Sequence, residues 1–342
     1  MKYNLFTFIL IGLCLFSSCR EKNTALEYMI NTRVKPLYDG KILLSMKNHH
    51  YLYDLKIADS FCLLFDDQGD TTLWVYKIEA HLKPTATMEQ HFMRMAGGKP
   101  LFTKQVDPSD KKSDTIFWVE NNFYYKSLIL NPTNNGINVS TLHFNNKNKI
   151  FSSDFNLTNK DIYAIPIVRN RKNPFYLFNP DSGYYWVDPS PSIEKVMPKD
   201  VLSYTNTICL NESQNTIVSA YRFINYVSFY GLDGTLKTTV KFGETPVIPI
   251  TNPDRDEIDV RNTPKCFSYI CGSPQYVYCL YDGSSDFTVP SKIAVFQWNG
   301  KHIVTWQANR NLQAIAVDKN DKYILAIASN KDGQDIIKYD LE

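Results

Sequence analysis

The stretch from Cys266 to Ala308 constrains the fold most. Four runs rich in β-branched and aromatic residues are cut by turn signals at Gly272-Ser-Pro-Gln275, Asp282-Gly283 and Asn299-Gly300. Asn-Gly and Asp-Gly pairs supply the positive φ angles of tight hairpins. The pattern is a four-stranded antiparallel meander, the form of one β-propeller blade. A hairpin across Gly272–Gln275 would set Cys279 near Ser268.

Most of the remaining chain reads as degraded copies of this stretch. Val227-Ser-Phe-Tyr-Gly-Leu-Asp-Gly234 aligns without gaps on Ile293-Ala-Val-Phe-Gln-Trp-Asn-Gly300. Leu73-Trp-Val-Tyr-Lys-Ile78 and Ile336-Ile-Lys-Tyr-Asp-Leu341 fit the first six positions, with an aromatic ring at the fourth place each time. Self-similarity at a period of tens of residues marks solenoids and propellers. From Asp39 onward the length suits six blades of about fifty residues, near the roughly 40–50 that a blade takes. The Gly-His and Trp-Asp signatures of WD40 repeats are missing. The expected fold class is all-β, a six-bladed β-propeller of four-stranded antiparallel blades.

The expected blades run Lys41–Ile78, Thr115–Phe155, Ile162–Pro189, Ile208–Phe242, Cys266–Ala308 and Leu312–Leu341. In this reading Ile150–Phe155 closes the second blade, residues 79–114 have no clear period and fit a short helix or a long interblade loop, and Pro189–Pro198 is a connector. The last blade stops one strand short at Leu341, and Lys41–Met46 is a surplus strand ahead of the first. Pairing the two closes the last blade with an N-terminal strand, and Leu43 and its alternate neighbours then share a face.

The N-terminus carries an address. Lys2 gives a basic start, Leu5–Phe16 an apolar run of signal-peptide length, and Ser17-Ser18-Cys19 small residues before a cysteine. This resembles the lipobox of bacterial lipoproteins, with Phe16 where that pattern prefers Leu. Residues 1–18 then form the signal peptide, Cys19 the lipidation site, 19–35 a tether and 36–342 the propeller. Cys62, Cys209, Cys266, Cys271 and Cys279 remain, an odd number inside apolar runs, which suits buried small hydrophobes. A net charge of +2 argues against nucleic acid as a partner.

Ser219-Ala-Tyr-Arg222 leading to Val227–Gly234, and Tyr276-Val-Tyr-Cys-Leu-Tyr-Asp-Gly283 followed by Ile293–Gly300, resemble the TolB-like six-bladed propeller lipoproteins of gut bacteria. The likeness covers Ser203 to Glu342. Gly97-Gly98-Lys99-Pro100 stands where that family carries a Gly-Pro-Gly-type loop. The resemblance implies an envelope lipoprotein, on the outer membrane of a Gram-negative cell, with no established activity.

Catalytic signatures are missing. The six histidines form no His-Glu-x-x-His motif, and His49-His50 falls in a turn. Ser192-Ile-Glu-Lys195 matches Ser-x-x-Lys without supporting motifs. Asp254-Arg-Asp-Glu-Ile-Asp259 lacks the turn glycine of a calcium loop. Neither a metal nor a cofactor is expected. Tyr221-Arg222, at a strand end, suits a polar or anionic ligand at the propeller mouth. The expected function is a lipid-anchored, monomeric binding or interaction module for an envelope protein, peptide or glycan. The alternative is a glycan- or peptide-directed hydrolase or lyase at the mouth.

Overall fold

The computed structural model describes residues 26–30, 33–37, 40–47, 51–58, 60–66, 73–87, 101–102, 115–120, 124–131, 136–142, 152–157, 162–166, 173–179, 183–197, 205–252 and 257–341. The expected signal peptide over residues 1–18, Cys19, His49-His50, Gly97–Pro100 and Asp254–Asp256 lie outside these residues.

Three N-terminal strands come first: β1 (Leu26–Ile30), β2 (Lys35–Pro36) and β3 (Lys41–Lys47). Sheet I holds β4 (Leu52–Ala58), β5 (Phe61–Asp66), β6 (Leu73–Ile78) and β7 (Leu82–Thr87). Sheet II holds β8 (Leu101–Phe102), β9 (Thr115–Glu120), β10 (Tyr124–Asn131) and β11 (Gly136–Leu142). Sheet III holds β12 (Ser152–Leu157), β13 (Ile162–Pro166), β14 (Phe175–Asn179) and β15 (Gly183–Val187), and a short helix, α1 (Pro191–Val196), follows. Sheet IV holds β16 (Asn206–Asn211), β17 (Thr216–Tyr221), β18 (Tyr226–Tyr230) and β19 (Leu236–Phe242). A small hairpin, β20 (Thr251–Asn252) with β21 (Glu257–Ile258), leads to sheet V: β22 (Phe267–Gly272), β23 (Tyr276–Tyr281), β24 (Lys292–Gln297) and β25 (His302–Gln307). Sheet VI holds β26 (Leu312–Val317), β27 (Tyr323–Asn330) and β28 (Gly333–Asp340).

First strands of successive sheets abut one another. β8 meets β12, β12 meets β16, β16 meets β22, β22 meets β26, and β26 meets β4. Antiparallel sheets radiating from adjoining first strands are a β-propeller, which leaves only short protected edges.

The N-terminal arm covers three of those edges. β1 runs parallel along β19, with Leu26 opposite Thr238 and Ile30 opposite Phe242. β2 runs parallel along β25. β3 pairs antiparallel with β28, from Lys47 opposite Gly333 to Lys41 opposite Lys338. The chain's own start therefore supplies the outer strand of sheet VI, as the missing fourth strand required.

Several expectations are corrected. Four of the sheets have four strands, but sheets IV and V have five, because β1 and β2 add to their edges. The expected tether of residues 19–35 thus includes paired strands. Ile150–Phe155 does not close the second blade: β12 is the first strand of sheet III, and β8 opens sheet II. Residues 79–114 contain β7, which completes sheet I. The connector 189–198 holds α1, where Ser190 caps the N-terminus by accepting from the Ser192 N–H and Pro191 opens the first turn.

Repeated bulges set which side chains face where. Register shifts at Tyr53 in β4, Ser153 in β12, Ser268 in β22 and Gln313 in β26, always the second residue of the first strand. An extra residue reverses the in–out alternation beyond it. So Leu52 and Leu55 both enter the buried core, as do Leu312 and Ile315. The turn of β22–β23 is Pro274-Gln275, closed by the Ser273 N–H on the Tyr276 carbonyl at 2.8 Å. With the turn at that place, Cys279 lies opposite Ile270, not Ser268. Leu43 is the bulged residue of β3, so Leu43 and Met46 are buried while Ser45 and Lys47 are exposed. The expected alternation from Leu43 is lost for that reason.

The fourth-place aromatics share a site. Tyr76, Tyr230, Phe296 and Tyr339 lie opposite Cys62, Ile217, Val277 and Ile324, each the second residue of the preceding strand. All four rings are buried. Each contributes on the order of 1.5–3 kcal/mol of transfer free energy.

Candidate functional site

Tyr221 ends β17 and Arg222 follows it, and the two side chains take different surroundings. The Tyr221 ring is fully buried, packed with Ile193, Met197, Ile224 and Tyr226 beneath α1. Its hydroxyl lies 3.4 Å from that of Tyr230. Burial, and then Tyr221, push the Tyr230 phenol well above its ordinary value. Tyr221 therefore does not line a mouth with Arg222, because successive residues of an extended chain point to opposite faces.

Arg222 bridges two sheets through its backbone. Its N–H donates to the Thr205 carbonyl at 2.8 Å, and its carbonyl accepts from the Cys266 N–H at 2.6 Å, just ahead of β22. The guanidinium carbon stands 5.8 Å from the centroid of the Phe287 ring. Among the described residues the guanidinium makes no hydrogen bond or ion pair. Burial lowers it from its ordinary value, but arginine keeps its charge at any physiological pH.

Lys265 is the second cation. Its ammonium lies 5.9 Å from the same Phe287 ring. It donates to the carbonyl of Val260 at 2.5 Å, to that of Arg261 at 3.4 Å, and to that of Ser285. Burial, and after it Arg222, lower its pKa, while Asp282, Asp286 and Asp259 act in the other direction. Lys265 is thus committed to tying two loops together, whereas Arg222 keeps its donors. Phe287 sits at φ +59°, a left-handed conformation unusual for an aromatic residue. The Asp286 carboxylate holds that turn by accepting from Thr288, through Oγ at 2.7 Å and N–H at 3.3 Å.

A separate polar knot lies inside the ring. Tyr269 on β22 donates its phenolic hydrogen to Asp54 Oδ1 on β4. The Leu55 N–H donates to the same oxygen at 2.8 Å, and Lys56 Nζ stands 3.7 Å from Oδ2. Lys56 also reaches the Tyr269 hydroxyl at 3.5 Å. The bulges at Tyr53 and Ser268 turn Asp54 and Tyr269 onto this side, past β26. The three groups satisfy one another, so the knot clasps sheets I and V. Residue order gave no sign of it, because the partners are far apart in the chain and the bulges reverse the alternation.

The remaining sequence candidates fall elsewhere. Ser192 lies in the first turn of α1, and Lys195 is exposed in its last. Asp259 accepts from the Asn262 side chain at 2.6 Å and from the backbone of Arg261 and Asn262, a closed turn. His302 bonds Thr305 Oγ1 at 2.9 Å and packs on Phe296. Cys62, Cys209, Cys266, Cys271 and Cys279 are buried and form no disulfide among the described residues. A cavity of about 440 Å³ opens where β4 and β26 end, lined in part by Ile57, Asp318, Tyr323 and Lys338. Its polar groups already have partners: Asp318 takes backbone N–H groups of its own loop, and Lys338 pairs with Asp340 at 2.5 Å. Among the described residues, no group of three or more His, Cys, Asp or Glu could hold a metal ion, and no helix is long and apolar enough to cross a membrane.

No family model matches the chain, and no curated protein matches it. Among solved structures it is similar to one titled "Crystal structure of RRP9 WD40 repeats", at 11% identity, over 91% of this chain and 99% of that one, with a TM-score of 0.48. The propeller architecture rests on this chain's own strand order and abutting first strands.

Proposed function

We propose that the chain is a six-bladed β-propeller, lipid-anchored to the cell envelope through Cys19, that binds an anionic group at the Arg222 mouth. Sheets I to VI support the blade count: once β1 and β2 are set aside as edge additions, each is a four-stranded antiparallel sheet. The observation that carries the binding function is the Arg222 guanidinium. It is fixed at both backbone ends, held over Phe287, placed beside a second cation, and without a carboxylate among the described residues. A pre-positioned guanidinium recognises carboxylate, sulfate or phosphate oxygens.

The strand directions support an orientation for the anchored protein. β1 parallels β19, so it begins at the Thr238 end of sheet IV, whereas Arg222 lies at the Phe242 end. Residues 19–25 span at most about 25 Å when extended. A lipid at Cys19 then holds the far side of sheet IV toward the bilayer and directs the Arg222 mouth away from it.

The anchor is tested by envelope fractionation of a Cys19→Ala variant, which should leave the detergent phase; retention there would exclude lipidation at Cys19. The mouth is tested on the full chain in detergent, with arrays of uronate- and sulfate-bearing glycans and of acidic peptides. Arg222→Ala should abolish the signals that the unaltered chain gives, with an unchanged melting temperature. Signals that survive the substitution would place the site elsewhere.

A further inference from the structure

The geometry points to a protein segment as the occupant of the Arg222 mouth: an acidic residue flanked by aliphatic ones. This rests on the reading of that mouth as an anion site and names the partner's class. Exposed aliphatic side chains lie on the loops linked to the Phe287 ring that the guanidinium faces. Ile248 is 64% exposed, Ile250 46%, Val260 42% and Val289 37%. Surface aliphatics scattered singly are ordinary, but these four sit on segments next to the Lys265–Phe287 pair in chain order or by hydrogen bond.

Hydrogen bonds hold those segments. The Asp259 N–H donates to the Ile250 carbonyl at 2.7 Å, which brings Ile250 beside Val260. Lys265 takes the Val260 carbonyl and stands over the Phe287 ring that Arg222 also covers. Val289, two residues beyond Phe287, is held by Asn311 on its carbonyl at 3.1 Å. Upstream, the Val247 N–H is fixed by Asn225 Oδ1 at 2.8 Å. Pro249 is buried between the two exposed isoleucines, so Ile248 and Ile250 alternate outward from one anchored segment.

Charge and side-chain type select among occupants. The guanidinium calls for an anion. A sugar ring binds by stacking on a free aromatic face, with amides or carboxylates for its hydroxyls. Here the one ring at the centre, Phe287, already carries two cations, and the rim is isoleucine and valine. Aliphatic rim and central arginine match the apolar core and charge-assisted bond of a protein contact, in which arginine is enriched among the residues that dominate affinity.

The test pans a random phage-displayed peptide library on the full chain, immobilised in detergent, and measures the synthetic peptides it enriches by fluorescence polarisation. Enriched peptides should carry Asp or Glu beside Leu, Ile or Val. Arg222→Ala should weaken them by roughly tenfold or more, and the paired change Ile248→Ser, Ile250→Ser by a similar factor. Exchanging the peptide's acid for its amide should reproduce the Arg222→Ala loss and add nothing in that variant. Arg222→Lys, which keeps the charge, should fall between. Absence of enrichment, enriched peptides without an acid, or affinity indifferent to the two isoleucines would overturn the inference. Arg222-dependent binding of anionic glycans with no peptide binding would overturn it while leaving the anion site intact.

Discussion

Tyr269 on β22 donates its phenolic hydrogen to Asp54 on β4, past the intervening strand β26. Each residue directly follows a bulge in its strand, at Ser268 and at Tyr53. Ala314 holds the matching place in β26, after the bulge at Gln313. Its methyl group lets the tyrosine ring cross to the next-but-one sheet. A hydrogen bond to a buried carboxylate is among the stronger ones, so this bond has a measurable role.

Tyr269→Phe should therefore lower stability by about 1.5–3 kcal/mol, the scale for one hydrogen bond to a charged group, since Leu55 N–H and Lys56 stay on the carboxylate. Tyr185→Phe, at a ring 54% exposed, should change it by less than about 0.5 kcal/mol. Thermal and urea unfolding compare the two. Equal small losses would mean that the clasp does not hold the sheets.

Closure of sheet VI depends on a glycine. Gly333 has φ +151°, and a Cβ there would run into the Met46 carbonyl of β3, leaving Lys47 Cα at 3.0 Å. Gly183 has φ +87° with nothing within 4 Å of such a Cβ. Gly183→Ala should cost only backbone strain, about 1–2 kcal/mol. Gly333→Ala adds a backbone collision, a further 1–3 kcal/mol or so. Hydrogen exchange should accelerate across 41–47 in the second variant alone. Unchanged protection of β3 would show that the closing strand is not held there.

Acid should open the same seam. Asp335 on β28 is buried and accepts from Ser45 Oγ of β3 at 2.6 Å, Arg310 at 2.7 Å and Asn330 at 2.6 Å. Burial raises its pKa, but the bonds from Ser45, Arg310 and Asn330 outweigh it and leave the carboxyl below the ordinary value. A folded pKa below the unfolded one adds stability above the unfolded value, near 3.9, that is lost as pH falls through the folded pKa. Stability should thus decline below about pH 4. Asp335→Asn should be less stable at pH 7 and show a shallower acid decline; an identical acid profile in both chains would remove Asp335 from the seam.

The cysteines should be silent. Burial raises the thiols of Cys62, Cys266 and Cys279 above their ordinary value, and thiolate is the reactive form. A chain begun after Cys19 should consume no thiol-reactive disulfide reagent when native and five equivalents in denaturant. Rapid native reaction at any of them would indicate local opening of its strand.

Much of the scaffold was legible because turn chemistry is local. Asp233-Gly234 and Asn299-Gly300 mark their hairpins, and Gly234 and Gly300 take φ +81° and +90°. The fourth-place aromatics announced their shared position because each fills the same slot beside its preceding strand. The missing last strand announced β3. Arg222 was legible as a charged residue at a strand end, but its partner Phe287 was not, because a loop far along the chain delivers it.

Residue order by itself determined most strands of sheets III to VI, their turns and the need for a strand from the N-terminus, since φ preferences and side-chain periodicity act over a few residues; it missed β1, β2, β7 and β8. Tertiary structure alone decided which sheet each strand joins, as with β12, and that β1 and β2 leave the expected tether to cover open edges. It also decided the bulges that reverse alternation and bring Asp54 to Tyr269. Strand pairing and bulge placement minimise unpaired backbone and unfilled space across the whole ring, and no local stretch of sequence carries that sum.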